Sequence, residues 1–188
     1  MMRSWLTTLL VAGLLGGLAA SASAQTSVTY KLYHYDGVSW VEKAPSDPFP
    51  PGGDQPGTNL WRYTYDLCNN SFSTGVRELN VFFNSDNVLC ATFQASTQPA
   101  NWTATQVGPI SPNNNWRLRF RTLVTAARVA QGTCNDEFSI DFLWVCPSLP
   151  GSQNYDAISS SGSHASQTAP AAPTPVESTT WGGIKSLY

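Results

Sequence analysis

The chain has 188 residues, with ten Lys or Arg against twelve Asp or Glu and a formal net charge of −2. Charged residues and aromatics each make up 12% of it. So thin a basic content gives no reason to expect nucleic acid as a partner, since a phosphate-tracking surface needs dense Lys and Arg.

Residues 1–24 read as a secretory signal peptide. Arg3 supplies the positive start, Leu6–Leu18 the apolar stretch, and Ala22-Ser23-Ala24 a small-residue cleavage site before Gln25. The apolar stretch is short for a membrane span, and no later stretch is apolar enough to make one. The mature chain is therefore expected to start at Gln25 and to be secreted, extracellular or on the cell surface, with the periplasm also open. What remains is one domain's length, enough for a real core.

Val28–Glu42 reads as a hairpin with Asp36-Gly37 at its tip. His34, alone on its strand, reads as structural. Ala44–Gly57 holds five prolines and three glycines and is an expected irregular loop, functional or floppy. Its Asp47 and Asp54 match no EF-hand spacing.

Thr58–Cys68 is the stretch the rest is organised around. Trp61, Tyr63, Tyr65 and Leu67 fall on one parity, Leu60, Arg62, Thr64 and Asp66 on the other. Successive side chains of a strand point to opposite faces, so this is a strand with one aromatic, buried face. Val76–Phe83 follows, and Val88–Gln94 is a further strand candidate. Asn101–Val107 carries Trp102. Trp116, Leu118 and Phe120 alternate with Arg117, Arg119 and Arg121. Ala126–Gly132 has modest helix propensity. Phe138, Ile140, Phe142 and Trp144 share one parity of a third clear strand. Tyr155–Ile158 suggests a short edge strand.

Short strands with turn signals about every ten residues predict an all-β, antiparallel β-sandwich, immunoglobulin-like or jelly-roll-like, over residues 25–158. Residues 159–180 are too polar to offset the entropy of ordering and are expected to be a disordered stalk. Residues 181–188 form a short apolar tail. On a helix Trp181, Ile184 and Tyr188 make one stripe with Leu187 beside it, the pattern of a docking or sorting tag for an export or surface-attachment protein.

Cys68, Cys90, Cys134 and Cys146 imply two disulfides in an exported chain. Cys134 and Cys146 flank the strand Phe138–Trp144. Its ends lie more than about 30 Å apart at the strand rise, so they are not expected to pair with each other. Strict up-and-down order favours Cys68–Cys134 with Cys90–Cys146, and a single crossover gives Cys68–Cys146 with Cys90–Cys134. The chain lacks the CxxC spacing of a zinc site.

No GxSxG, HExxH, P-loop or dinucleotide fingerprint occurs, and no cofactor is expected. Asp136, Glu137 and Asp141 are carboxylates with no evident partner across a cleft. Ser163-His164 falls in the expected stalk. Arg117, Arg119 and Arg121 stand about 6.6 Å apart on one strand face. They read as a solvated outer face, paired with Glu78 or Asp66, or as a site for an anion or acidic glycan. Trp40 and Trp102 are candidate sugar-stacking platforms, whereas Trp116 lies on the core parity.

The runs YTYDLCNNS, PANWTA, NNNWRLRFRT, FSIDFLWV and PGSQNYD, across Thr58–Ala157, resemble bacterial exported β-sandwich domains of unassigned function. Such domains often precede carboxy-terminal sorting or anchoring tails, and TTWGGIKSLY resembles tails of that kind. It lacks the transmembrane helix and basic end of Pro-Glu-Pro tails, and the chain lacks an LPxTG site. The expectation is a non-enzymatic structural or adhesive module, with a carbohydrate-binding module second and an extracellular hydrolase third.

Overall fold

The computed structural model describes residues 25–83, 90–110 and 115–172, with the backbone alone at 109, 110 and 115. Residues 1–24, expected to be a signal peptide, and the tail residues Trp181, Ile184, Leu187 and Tyr188 lie outside the described residues. The strands are β1 (Ser27–Tyr35), β2 (Trp40–Lys43), β3 (Leu60–Asn69), β4 (Val76–Phe83), β5 (Ala91–Thr97), β6 (Thr103–Ile110), β7 (Asn115–Arg121), β8 (Thr133–Trp144), β9 (Asn154–Ser159), β10 (Ser163–Gln167) and β11 (Ala169–Pro170). The modest helix propensity of Ala126–Gly132 yields only a 3-10 turn, Thr125–Ala127. No helix among the described residues is long and apolar enough to cross a membrane.

The strands form two sheets that share one core. The six-stranded sheet runs β11-β1-β3-β8-β5, with β2 also on β1, and the five-stranded sheet runs β10-β9-β4-β7-β6. All pairings are antiparallel except β1–β11, a two-residue parallel contact. The expected β-sandwich is therefore the fold.

β3 lies between β1 and β8 and alternates as its sequence dictates. Trp61, Tyr63, Tyr65 and Leu67 are all at most 1% exposed. Rings from the two sheets meet across the core. Phe83 meets Phe142 edge-on at 5.9 Å between the sheets, while Tyr63 stacks on Phe142 at 5.2 Å and Phe83 on Trp116 at 3.9 Å within them. Such pairs add to the area that each ring removes from water.

The hairpin β1–β2 turns at Asp36, whose Oδ1 accepts from the Val38 and Ser39 amides at 2.9 and 2.8 Å. His34 is buried and structural: its Nε2 bonds Thr58 O at 2.6 Å and its ring lies 4.6 Å from Trp61. The proline-rich loop is irregular but packed. Phe49 stacks on Trp61 at 5.8 Å, and Trp61 Nε1 donates to Gly53 O at 3.0 Å. A Cβ at Gly53 would stand 2.7 Å from Pro50 Cγ, so only glycine allows that approach. Asp47 accepts from the Ala44 amide and Asp54 from Gln55, so both loop carboxylates are used locally.

The disulfides are Cys68–Cys134 and Cys90–Cys146. Cys68 and Cys134 stand directly opposite on β3 and β8, which is why the up-and-down assignment holds. No described cysteine is left as a thiolate donor for zinc.

Three expectations need correction. The stretch from Ser159 is not all stalk, because β10 pairs with β9 over Ser163–Gln167 and β11 pairs with β1. Its order comes from backbone hydrogen bonds, which polar residues make as well as apolar ones. β9 is consequently not an edge strand, since β10 and β4 flank it. Ser163-His164 therefore sits in a strand, with the His164 ring 6.1 Å from Tyr155.

Candidate functional site

The outer face of the five-stranded sheet is set by β4, β7 and β9. Trp116, Leu118 and Phe120 turn inward, so Arg117, Arg119 and Arg121 turn outward. Registration carries each arginine into a cross-sheet row. Arg117 lies beside Phe82 and Asn154, Arg119 beside Asn80 and Asp156, and Arg121 beside Glu78 and Ile158. β6 adds Val107, Thr105 and Thr103 to the same rows.

The guanidiniums are half-buried on this face. Arg121 Nε lies 3.6 Å from Glu78 Oε2, and Arg117 stands over Phe82 with its guanidinium carbon 5.7 Å from the ring centre. Asn80 is 1% exposed and its Nδ2 donates to Glu78 Oε1 at 3.0 Å. Burial pushes the Asp156 carboxyl up, with Glu78 adding to it and Arg117 and His164 opposing it. Asn80 Oδ1, Asp156 Oδ1, Arg117 Nε and Arg121 Nε are buried with no hydrogen-bond partner. The expected cross-strand pairing thus exists for Glu78 but not for Asp66, which belongs to the other sheet's outer face.

That other face holds Trp40. Arg62 covers the Trp40 ring at 4.2 Å, and Tyr35 lies 5.3 Å away. Arg62 is in turn fixed by Asp141, donating from Nε at 2.6 Å and from its terminal nitrogen at 2.8 Å. Asp141, read as solvated from sequence, is thus half of a forked ion pair, which raises the Arg62 pKa. One face of Trp40 is occupied, so it is at best a one-sided platform.

Trp102 is no platform. It is 4% exposed, its Nε1 donates to Ala127 O at 2.7 Å, and its ring meets Phe138 edge-on at 5.1 Å. The turn before it, closed by the Trp102 amide on Pro99 O with Asn101 at φ 65°, tucks the ring inward. Asp66 and Asp136, not paired in the sequence reading, are brought together at one end of the six-stranded sheet. Only a bulge between β3 and β8 does this, and a bulge leaves no regular mark in a sequence.

Fold and faces define a disulfide-linked β-sandwich with two unlike polar surfaces. No family model matches the chain, and no characterised protein matches it in sequence. Several solved structures are distantly similar. A cohesin module of a family 33 glycoside hydrolase from Clostridium perfringens is 7% identical, with a TM-score of 0.41 over 78% of this chain and 98% of that one. The sixth cohesin of Acetivibrio cellulolyticus scaffoldin B, solved with a Cel5 dockerin, is 6% identical, with a TM-score of 0.38 over 78% and 93%. The seventh ScaB type I cohesin of Pseudobacteroides cellulosolvens is 11% identical, with a TM-score of 0.34 over 63% and 87%. At these values no residue role and no partner transfers.

Proposed function

We propose that the protein is a non-enzymatic, exported structural or adhesive module of the cell surface, and that the arginine face of its five-stranded sheet holds an anionic partner, best fitted by an acidic glycan. The observation that carries this reading is the placement of Arg117, Arg119 and Arg121 in one row on one outer face, where Glu78 is paired with Arg121 and the Nε atom of Arg117 makes no hydrogen bond. A repeating polyanion presents charges at regular spacing, and an extended strand face presents guanidiniums at about 6.6 Å. Carboxylates and sulfates suit the guanidinium fork. Electrostatic complementarity of this kind sets specificity and on-rate and weakens with salt.

The test is binding of the secreted chain to immobilised polygalacturonate. Retention at low salt that falls steeply as salt rises is expected, with a loss of at least tenfold in Arg117→Gln/Arg119→Gln. No retention, or retention unchanged by the double substitution, overturns the reading.

A further inference from the structure

The outer face of the six-stranded sheet carries a cavity unrelated to the arginine row. On β3 and β8 the register runs Tyr65 with Phe138 and resumes at Leu67 with Asn135. Asp66 therefore faces two residues of β8, Asp136 and Glu137. An extra residue on one strand bends it and re-aims side chains. Beside the bend lies a trough of about 370 Å³. β1 contributes Thr29, Lys31 and Tyr33, β3 contributes Thr64 and Asp66, and β8 contributes Asp136.

The lining offers a mixed set of groups. Tyr33 gives an aromatic wall. Thr29 and Thr64 give hydroxyls that both donate and accept. Lys31 is steadied by Glu42 at 3.7 Å. Asp66 Oδ1 is buried without a hydrogen-bond partner. Its Oδ2 lies 3.8 Å from the Cys68 sulfur, which is in a disulfide and has no proton to give. Burial, and then the neighbouring Asp136, hold the Asp66 carboxyl above its ordinary range. The trough thus contains one carboxylate, Asp66, with an acceptor short of a donor, in a volume within the range of about 300–1,000 Å³ common to ligand sites.

Three classes of occupant can be weighed against this lining. An anion would meet two carboxylates. An extended peptide binds by adding to a free strand edge, but here β3 is paired on both sides and β1 pairs with β3 and β11. A neutral saccharide presents paired hydroxyl donors and a ring face, matching the carboxylates and Tyr33.

We propose that this trough is a binding site for a neutral saccharide, with Asp66 and Asp136 accepting from its hydroxyls, Thr64 bridging, and Tyr33 against the ring. The site is separate from the arginine face and does not depend on it. Tyr35 and Trp40 continue the same sheet face beyond Tyr33, so a linear glycan would run from the trough toward them.

The test is isothermal titration of the secreted chain with cellohexaose, maltohexaose, xylohexaose and the N-acetylglucosamine hexamer. Binding of at least one is expected, insensitive to salt, reduced at least tenfold in Asp66→Asn and in Tyr33→Ala, and unchanged in Arg117→Gln/Arg119→Gln. If none of the four binds, or if both trough variants bind like the parent, the proposal is wrong. Loss of polygalacturonate binding alone would leave this site standing, so the two readings fail separately. Thermal melting controls for folding. A carboxyl whose folded pKa is raised opposes stability once pH climbs through that pKa, and not below its ordinary value of 3.8. Asp66→Asn should therefore melt at or above the parent at pH 7 and lose that advantage in acid.

Discussion

The centre of the six-stranded sheet and the margin made by β9, β10 and β11 reach order by different routes. In β3 every inward residue from Trp61 to Leu67 is almost fully removed from water, and rings interlock with β8 and the opposite sheet. In β10 no residue is buried and none is large and apolar. It is held by its ladder to β9, by the Ser159 amide on Gly162 O at 2.8 Å, and by Thr168 and Gln153, which exchange bonds at 2.8 and 2.9 Å. Side-chain burial fixes which residues face inward. Once that register exists, backbone groups alone extend the sheet at its edge.

The contrast can be broken at the centre first. Phe142→Ala is expected to cost about 3–5 kcal/mol, since the ring is fully buried between two sheets. Urea unfolding measures it, and a cost below about 1 kcal/mol would mean the centre does not carry the fold. Next comes the crosslink between the two central strands. Replacing Cys68 and Cys134 together by alanine is expected to cost about 2–5 kcal/mol, because the bond closes a long loop, with a sequence separation of 66. Thermal melting under non-reducing conditions should show the loss.

The margin should respond least. Ending the chain after Gly162 removes β10, β11 and the Thr168–Gln153 bonds, and is expected to cost about 1–2 kcal/mol, the worth of a few net hydrogen bonds. If that truncation unfolds the protein as Phe142→Ala does, the margin belongs to the core. If melting is unchanged, residues after Ser159 behave as the stalk that composition alone suggests.

This contrast also explains what could be read from the sequence. Trp61–Leu67, Trp116–Phe120 and Phe138–Trp144 were legible because a strand with one buried face must alternate with period two. The arginine row was legible for the same reason, being the outward half of β7. The sequence favoured Cys68–Cys134 under up-and-down order but left Cys68–Cys146 open, and only the pairing of β3 with β8 decides between them. β10 was not legible, because a polar edge strand has no side-chain signature to distinguish it from a linker. Trp102 was misplaced because the turn at Asn101, not the strand pattern, directs it inward. The trough was hidden because Asp66 and Asp136 meet only through a one-residue slip in register, which no periodicity encodes.

The parallel contact between β1 and β11 bears on how the domain carries tension. β1 begins just after Gln25, and the chain beyond β11 leaves at Ala171, whose amide bonds Tyr30 O at 2.8 Å. Two adjacent strands that run the same way, gripped at opposite ends, slide lengthwise past each other when pulled. Their bonds are loaded together in shear instead of opening one by one like a zipper. Behind that small contact β1 is matched to β3 from Ser27 to His34, so force arriving through β1 or β11 passes directly into a strand whose inward side chains are at most 1% exposed.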